Sequence, residues 1–148
     1  MPRFLVDFFP SVANYWDIFL TALTATYQMF FIAGLITLLI GGAFGISLIV
    51  TKTDGIKPNR IIHFILEVIT NVFRAVPFII LLIFLIPLTR SIAGTSIGVK
   101  GAIVPLVFGA VPFYTRQVET ALADVNPGKI EAARSMGSST LGIIFRVY

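Results

Sequence analysis

The chain has 148 residues, of which 57% are hydrophobic and only 12% are charged, and its mean hydropathy is +0.95. Because a soluble domain carries about 25% charged residues, this composition indicates an integral membrane protein and excludes a soluble domain. The chain has no cysteine, which excludes disulfides, thiol catalysis and cysteine-based metal sites. The formal net charge of +4 is typical of basic loops in a membrane protein, so no nucleic acid partner is expected.

The first part of the chain predicts a leader followed by one long membrane span. Residues 1–14 are expected to lie at the membrane interface, and they lack the basic region and cleavage site of a removable signal peptide. Tyr15 and Trp16 predict an aromatic anchor at the headgroup level. Residues 18–51 contain no charged side chain, and a bilayer requires roughly 20 apolar residues. A long, tilted helix over about residues 16–50 is therefore predicted.

Close packing of this helix against another is predicted from its small residues, because a glycine lets a neighbouring backbone approach. The glycines concerned are Gly34, Gly41, Gly42 and Gly45. Plain helix packing is the expected role for all four.

Four polar side chains recur along the next hydrophobic segment at spacings of four, four and three residues, which places them on one face of a helix. They are His63, Glu67, Asn71 and Arg74. The apolar run that follows, residues 75–88, would be about 21 Å long as a helix, whereas the hydrocarbon core is about 30 Å thick. Part of the polar stripe must therefore also lie at membrane depth.

Two interpretations of this polar stripe remain open. In the first, Glu67, Asn71 and Arg74 line or gate a translocation path. In the second, the stripe is buried between helices and its members satisfy one another, since His63 and Glu67 are at pairing distance on a helix. In either case residues 61–93 are predicted to cross the membrane once.

A third span is predicted over about residues 99–123. Its apolar part is bounded by Lys100 and Arg116, whose long side chains can reach the membrane interface. Pro105 and Pro112 lie seven residues apart on one face, so kinks are expected. The helix is predicted to continue past its apolar part into polar sequence.

The most clearly delimited element follows this span and predicts a polar helix-turn-helix. Asn126 is a favourable N-cap, and Pro127 fits the first helical position, where a missing N–H costs nothing. Gly137 is placed to end the helix in a left-handed conformation, and the serines after it can cap a second helix. Ile130 and Met136 would then be apolar contact points on a protruding knob.

The sequence Glu131-Ala132-Ala133 followed by Gly137 resembles the cytoplasmic loop of permeases in type I ATP-binding-cassette (ABC) importers. In that family the loop is a coupling helix that docks in a groove of a separate ATPase subunit. The resemblance implies polar pairing by Glu131, close approach at Ala132 and Ala133, and a turn set by Gly137. Arg134 belongs to the same implied ATPase-coupling set.

Residues 73–82, with their Arg-x-x-Pro pattern, and residues 95–133 are similar to methionine-importer permeases. This resemblance implies a permease subunit that couples ATP hydrolysis by a partner to import of D- or L-methionine across the bacterial inner membrane. The implied partners are an ABC ATPase subunit, an extracellular methionine-binding protein, a second permease copy and membrane lipid. Two alternatives stay open: a permease for another amino acid, and a non-transporting membrane scaffold.

The resemblance also implies a fold and exposes one departure from the family. Such permeases close a core of five helices and continue past the coupling loop with a Leu-Pro pair, whereas this sequence stops at Tyr148. A truncated permease is therefore expected, with residues 1–148 as one domain. Its expected fold class is an all-α integral membrane protein, with three transmembrane helices and a coupling helix-turn-helix over about residues 126–148.

Basic residues indicate how the spans are oriented. With residues 52–60 and everything from Arg116 onward in the cytoplasm, seven of the eleven basic side chains lie inside. Three lie outside and Arg74 lies within the membrane, in agreement with the positive-inside bias. The N-terminus is then outside and the coupling loop is cytoplasmic.

No pattern of residues predicts catalysis. The single histidine, the absence of cysteine and the scattered carboxylates form neither a metal site nor a nucleophile with its base. A phosphate-binding P-loop is also missing, so ATP would have to be hydrolysed by a partner. We therefore predict that the chain is not an enzyme and holds no metal or cofactor.

Overall fold

The computed structural model describes residues 15–148, which form seven helices joined by turns. These are α1 (Trp16–Thr51), α2 (Arg60–Ala75), α3 (Phe78–Phe84), α4 (Ile86–Ala93), α5 (Gly98–Ala123), α6 (Pro127–Ser135) and α7 (Thr140–Arg146). The leader predicted for residues 1–14 lies outside the described residues. The all-α prediction is confirmed.

Two of these helices are long and apolar enough to cross a membrane by themselves. Helix α1 has 36 residues and α5 has 26, which correspond to about 54 Å and about 39 Å of helix. Helix α5 continues through Pro105 and Pro112, so the kinks expected there do not interrupt it. These two helices form the most extensive contact in the described part of the chain.

The segment between them, predicted as one span over residues 61–93, is not one helix. Helices α2 and α3 meet at a bend of 103°, and α4 follows directly after Leu85. The bend has a local cause, because Pro77 has no N–H to donate and Val76 before it is extended, with φ −81° and ψ 124°. Counted as one broken span, α2 and α3 would be a third crossing, and the single crossing stays a prediction.

Glycine residues bring α1 and α5 together. A Cβ atom at Gly45 would lie 2.6 Å from the Val118 Cβ, and one at Gly41 would lie 2.9 Å from the Tyr114 ring. The hydroxyl of the fully buried Thr115 donates a hydrogen bond of 3.3 Å to the Gly41 carbonyl oxygen. Close approach is therefore confirmed at these two glycines, whereas nothing lies within 4 Å of a Cβ at Gly34.

This contact predicts a large difference between two glycine substitutions in the same helix. Gly45→Ala is expected to lower the free energy of unfolding by about 1–3 kcal/mol, because the added methyl group overpacks the contact with Val118. Gly34→Ala is the matched control, and it should be neutral or slightly stabilising because alanine favours a helix over glycine by up to about 1 kcal/mol. Thermal unfolding in detergent measures both variants, and equal stabilities would contradict the predicted contact.

Candidate functional site

Helices α6 and α7 with the turn between them form a hairpin, residues 127–146, which we call the coupling hairpin after the role that the family resemblance implies. The Asn126 side chain accepts a hydrogen bond of 2.8 Å from the Gly128 N–H, which caps α6. Gly137 has φ +77° and ends α6 in the left-handed region, and the next N–H, that of Ser138, donates to the Ala133 carbonyl oxygen. The predicted cap and left-handed turn are confirmed.

The faces of the coupling hairpin differ in exposure. Glu131 and Ala132 are exposed, and Met136 is 79% exposed. Ala133 is 4% exposed, so its small side chain allows close packing within this chain. An external surface of the hairpin is therefore formed by Glu131, Ala132 and Met136, while Ala133 lies beneath it.

Arg134 connects the coupling hairpin to the loop between α1 and α2, residues 52–59. Its Nη2 donates hydrogen bonds to the carbonyl oxygens of Ile56 at 2.7 Å and Gly55 at 3.3 Å. The loop is tight at this point, because a Cβ at Gly55 would lie 2.6 Å from the Ile49 carbonyl oxygen. This connection spans almost 80 residues of sequence, and no periodicity or local motif signals it.

The Tyr148 phenol lies close to the same junction. Burial raises the pKa of Tyr148 above its ordinary value of 10.0, and the positive charge of Arg134 acts in the opposite direction. Tyr148 also lines a cleft of about 150 Å³ with residues from the loop and from the start of α6, among them Gly55 and Ile130. The coupling hairpin is thus joined to the loop by the Arg134 hydrogen bonds, and a small cleft lies beside this junction.

A second cluster of polar side chains joins α2 to α5. Arg116 donates to Glu119 at 2.6 Å and to the Asn71 side-chain oxygen at 2.8 Å, and it lies 3.9 Å from Glu67. His63 Nε2 is 3.7 Å from the same Glu67 carboxylate, as its helical spacing predicts. We call these five residues the Arg116 cluster.

The Arg116 cluster also reaches α1. His63 Nδ1 lies 3.1 Å from the Leu48 carbonyl oxygen, and because a carbonyl oxygen can only accept, the ring must donate from Nδ1. One polar assembly therefore holds three helices at the same level. The partner that Glu67 and Asn71 share is Arg116, which lies outside the predicted stripe, and the Asn71 side chain is exposed. That these side chains line a translocation path stays a prediction.

Arg74 does not join this cluster, although it continues the same sequence spacing. Helix α2 ends at Ala75, and Arg74 lines a separate cleft of about 690 Å³ between the α2–α3 bend and α5. The three predicted path residues are thus divided, with Glu67 and Asn71 in one place and Arg74 in another. Within residues 15–148, no group of three or more His, Asp or Glu side chains could hold a metal ion.

Residues 43–148 match the protein family described as binding-protein-dependent transport system inner membrane component. The chain is 46% identical over 122 residues to the D-methionine transport system permease protein MetI of Yersinia pestis, and 45% identical over 122 residues to that of Escherichia coli K12. Each alignment covers 82% of this chain and 56% of the relative, so the chain spans only a little over half of these relatives.

Solved structures agree with the sequence match. The chain resembles an inward-facing structure of the MetNI methionine ABC transporter with a TM-score of 0.81 at 44% identity, covering 84% of this chain and 58% of that one. A second crystal form of that transporter gives a TM-score of 0.84 at 43% identity. Because the family match extends over most of the sequence, this chain belongs to the binding-protein-dependent transport system inner membrane components, which are multi-pass membrane proteins.

Proposed function

We propose that residues 1–148 belong to one permease domain of an ATP-driven methionine importer, which takes up D- or L-methionine. The similarity to MetI proteins supports the cargo, and the exposed coupling hairpin supports the mechanism. The chain would hydrolyse nothing itself, since a separate ABC ATPase subunit would supply the energy. Its further partners would be an extracellular methionine-binding protein and a second permease copy.

The observation that carries the mechanism is the exposed apex of the coupling hairpin directly after span α5. Met136 is 79% exposed beside the left-handed Gly137, and Glu131 and Ala132 lie exposed on the helix before it. A short helix with an apolar tip and one carboxylate suits docking into a groove of a partner protein. In this proposal the hairpin and the loop of residues 52–59 lie in the cytoplasm, and the N-terminus lies outside.

Closure of two ATPase subunits around ATP would move two such hairpins towards each other. Because only three residues separate α5 from α6, displacement of a hairpin is transmitted to a membrane span. Such a rigid-body motion would alternate access to a central cavity between the two sides of the membrane.

Co-purification in detergent with the ATPase subunit of a methionine importer tests this proposal. A variant that combines Glu131→Gln with Gly137→Val is expected to lose at least 90% of the bound ATPase, because it removes the exposed carboxylate and strains a backbone at φ +77°. Asp17→Asn is the matched control, since this exposed carboxylate lies in the first turn of α1, at the opposite end of that helix from the loop and the hairpin. Retained binding by the double variant would contradict the docking role.

The cargo is tested separately by uptake of radiolabelled amino acids into proteoliposomes that contain the assembled transporter. Methionine uptake that requires ATP is the expected result. Uptake of a different amino acid instead of methionine would identify that amino acid as the cargo. ATPase binding without any uptake would favour a membrane scaffold.

A further inference from the structure

The cleft that contains Arg74 combines one positive charge with an otherwise aromatic and aliphatic lining. It lies where α2 and α3 meet at 103°, and it faces the middle of α5. The lining includes Phe73, Phe78, Leu106, Ala110 and Phe113 besides Arg74. Its volume of about 690 Å³ falls in the usual range of about 300–1,000 Å³ for small-molecule sites.

Arg74 differs from Arg116 in its partners. Arg116 makes hydrogen bonds or ion pairs with three side chains, whereas Arg74 makes none with any residue in the 15–148 range. Arg74 is exposed where it lines this open cleft, and its guanidinium group cannot lose its charge. At membrane depth, a charge that no ligand or water reaches is costly. A charged side chain inside a membrane protein therefore marks a pathway or a ligand site, and here the ligand should be an anion.

The depth of the cleft separates two possible sources of that anion. Gly109 and Ala110 lie at the centre of the 26-residue α5, about 18 Å along the helix from its first residue. Lipid phosphates lie at the membrane surface, about 15 Å from the midplane of the hydrocarbon core. A lipid phosphate would not reach the level of Gly109. The anion that binds there is therefore expected to be a small solute inside the transporter.

We propose that the Arg74 cleft is a substrate subsite on the translocation path, in which Arg74 binds the carboxylate of an amino acid. Phe73, Phe78 and Phe113 then contact its apolar side chain. A guanidinium group pairs with a carboxylate through two parallel hydrogen bonds, and a thioether makes favourable contacts with aromatic rings. This inference rests on the proposed amino-acid transport and adds the residues that would recognise the substrate.

The Phe78 ring gives the cleft a defined wall. A Cβ at Gly109 would lie 2.9 Å from Phe78 Cδ2. Because glycine has no Cβ, the Phe78 ring can pack directly against α5. Adding a methyl group here would push the ring towards the space where the substrate side chain is placed.

Thiol protection tests the subsite without relying on turnover. Because the chain has no cysteine, Ala110→Cys places a single thiol in the cleft, and its reaction with a fluorescent maleimide can be followed on the permease band. In the assembled transporter, saturating methionine is expected to slow labelling at least fivefold, while methioninamide, which lacks the carboxylate, has no effect. Addition of Arg74→Gln should abolish the protection. Arg74→Lys should leave part of it, since lysine keeps the positive charge but cannot form the two parallel hydrogen bonds of a guanidinium group.

The controls separate this test from the proposed function itself. A thiol introduced by Asp54→Cys, on the exposed loop, should react equally with and without methionine, and ATPase co-purification establishes that each variant is assembled. Equal protection by methioninamide, protection that survives Arg74→Gln, or protection only by anionic lipid would each overturn the subsite. Failure of methionine uptake by the unsubstituted transporter would instead contradict the proposed cargo.

Discussion

Arg116→Met is expected to lower the free energy of unfolding by about 2 kcal/mol, because the Arg116–Glu119 pair is part-buried and its removal leaves a carboxylate without its partner. The substitution leaves Glu119, which is only 14% exposed, without its 2.6 Å partner, and it also removes the Asn71 hydrogen bond. Glu67 is 43% exposed and can regain water, which keeps the loss below that of a fully buried pair. Thermal and denaturant unfolding of the purified chain in detergent measure the effect.

A double-substitution cycle identifies the origin of that loss. Because most of the penalty is an unpaired carboxylate, adding Glu119→Gln to Arg116→Met should recover at least about 1 kcal/mol. Arg90→Met is the matched control, since Arg90 makes a single, solvent-exposed hydrogen bond of 3.2 Å to Ser96, and its loss should cost less than about 1 kcal/mol. Strictly additive losses in the cycle would mean that Arg116 acts through packing and not through its charge.

Features that depend on neighbours in the sequence could be predicted without the structure. The N-cap at Asn126 and the left-handed turn at Gly137 follow from the residue types and their spacing, because the atoms that bond lie within five residues. The helical stripe from His63 to Asn71 follows from periodicity for the same reason. The bend of 103° at Pro77 could not be predicted in this way, because the apolar sequence after it continues without a loop signal and is typical of a single span.

Contacts between distant segments could not be predicted in this way. Arg116 was interpreted as a side chain that reaches the membrane surface, because it ends an apolar run, and its Asn71 partner lies 45 residues earlier. Arg74 was grouped with Glu67 and Asn71 because they share a helical period. The division arises because the cluster is organised by Arg116 of α5, while Arg74 lies beside the bend.

Arg134→Ala is expected to uncouple ATP hydrolysis from uptake in the proposed transporter, with at least a fivefold fall in methionine imported per ATP hydrolysed. Arg134 holds the coupling hairpin to the loop of residues 52–59, and that loop joins α1 to α2. When the bond is present, motion of the hairpin also moves these two helices. When it is lost, the hairpin can move with the ATPase while α1 and α2 lag behind. Uptake and phosphate release in the same proteoliposomes measure this ratio.

The acceptors are backbone carbonyl oxygens, so the partner of Arg134 can be perturbed from the other side of the bond. Gly55→Ala would place a methyl group 2.6 Å from the Ile49 carbonyl oxygen and shift the loop, so it should reproduce the uncoupling. Combined with Arg134→Ala, it should add little, because both substitutions break one connection. Lys129→Ala, on the same exposed helix, is the control and should leave the ratio unchanged. Loss of ATPase binding in proportion to the loss of uptake would instead place Arg134 in direct contact with the ATPase subunit.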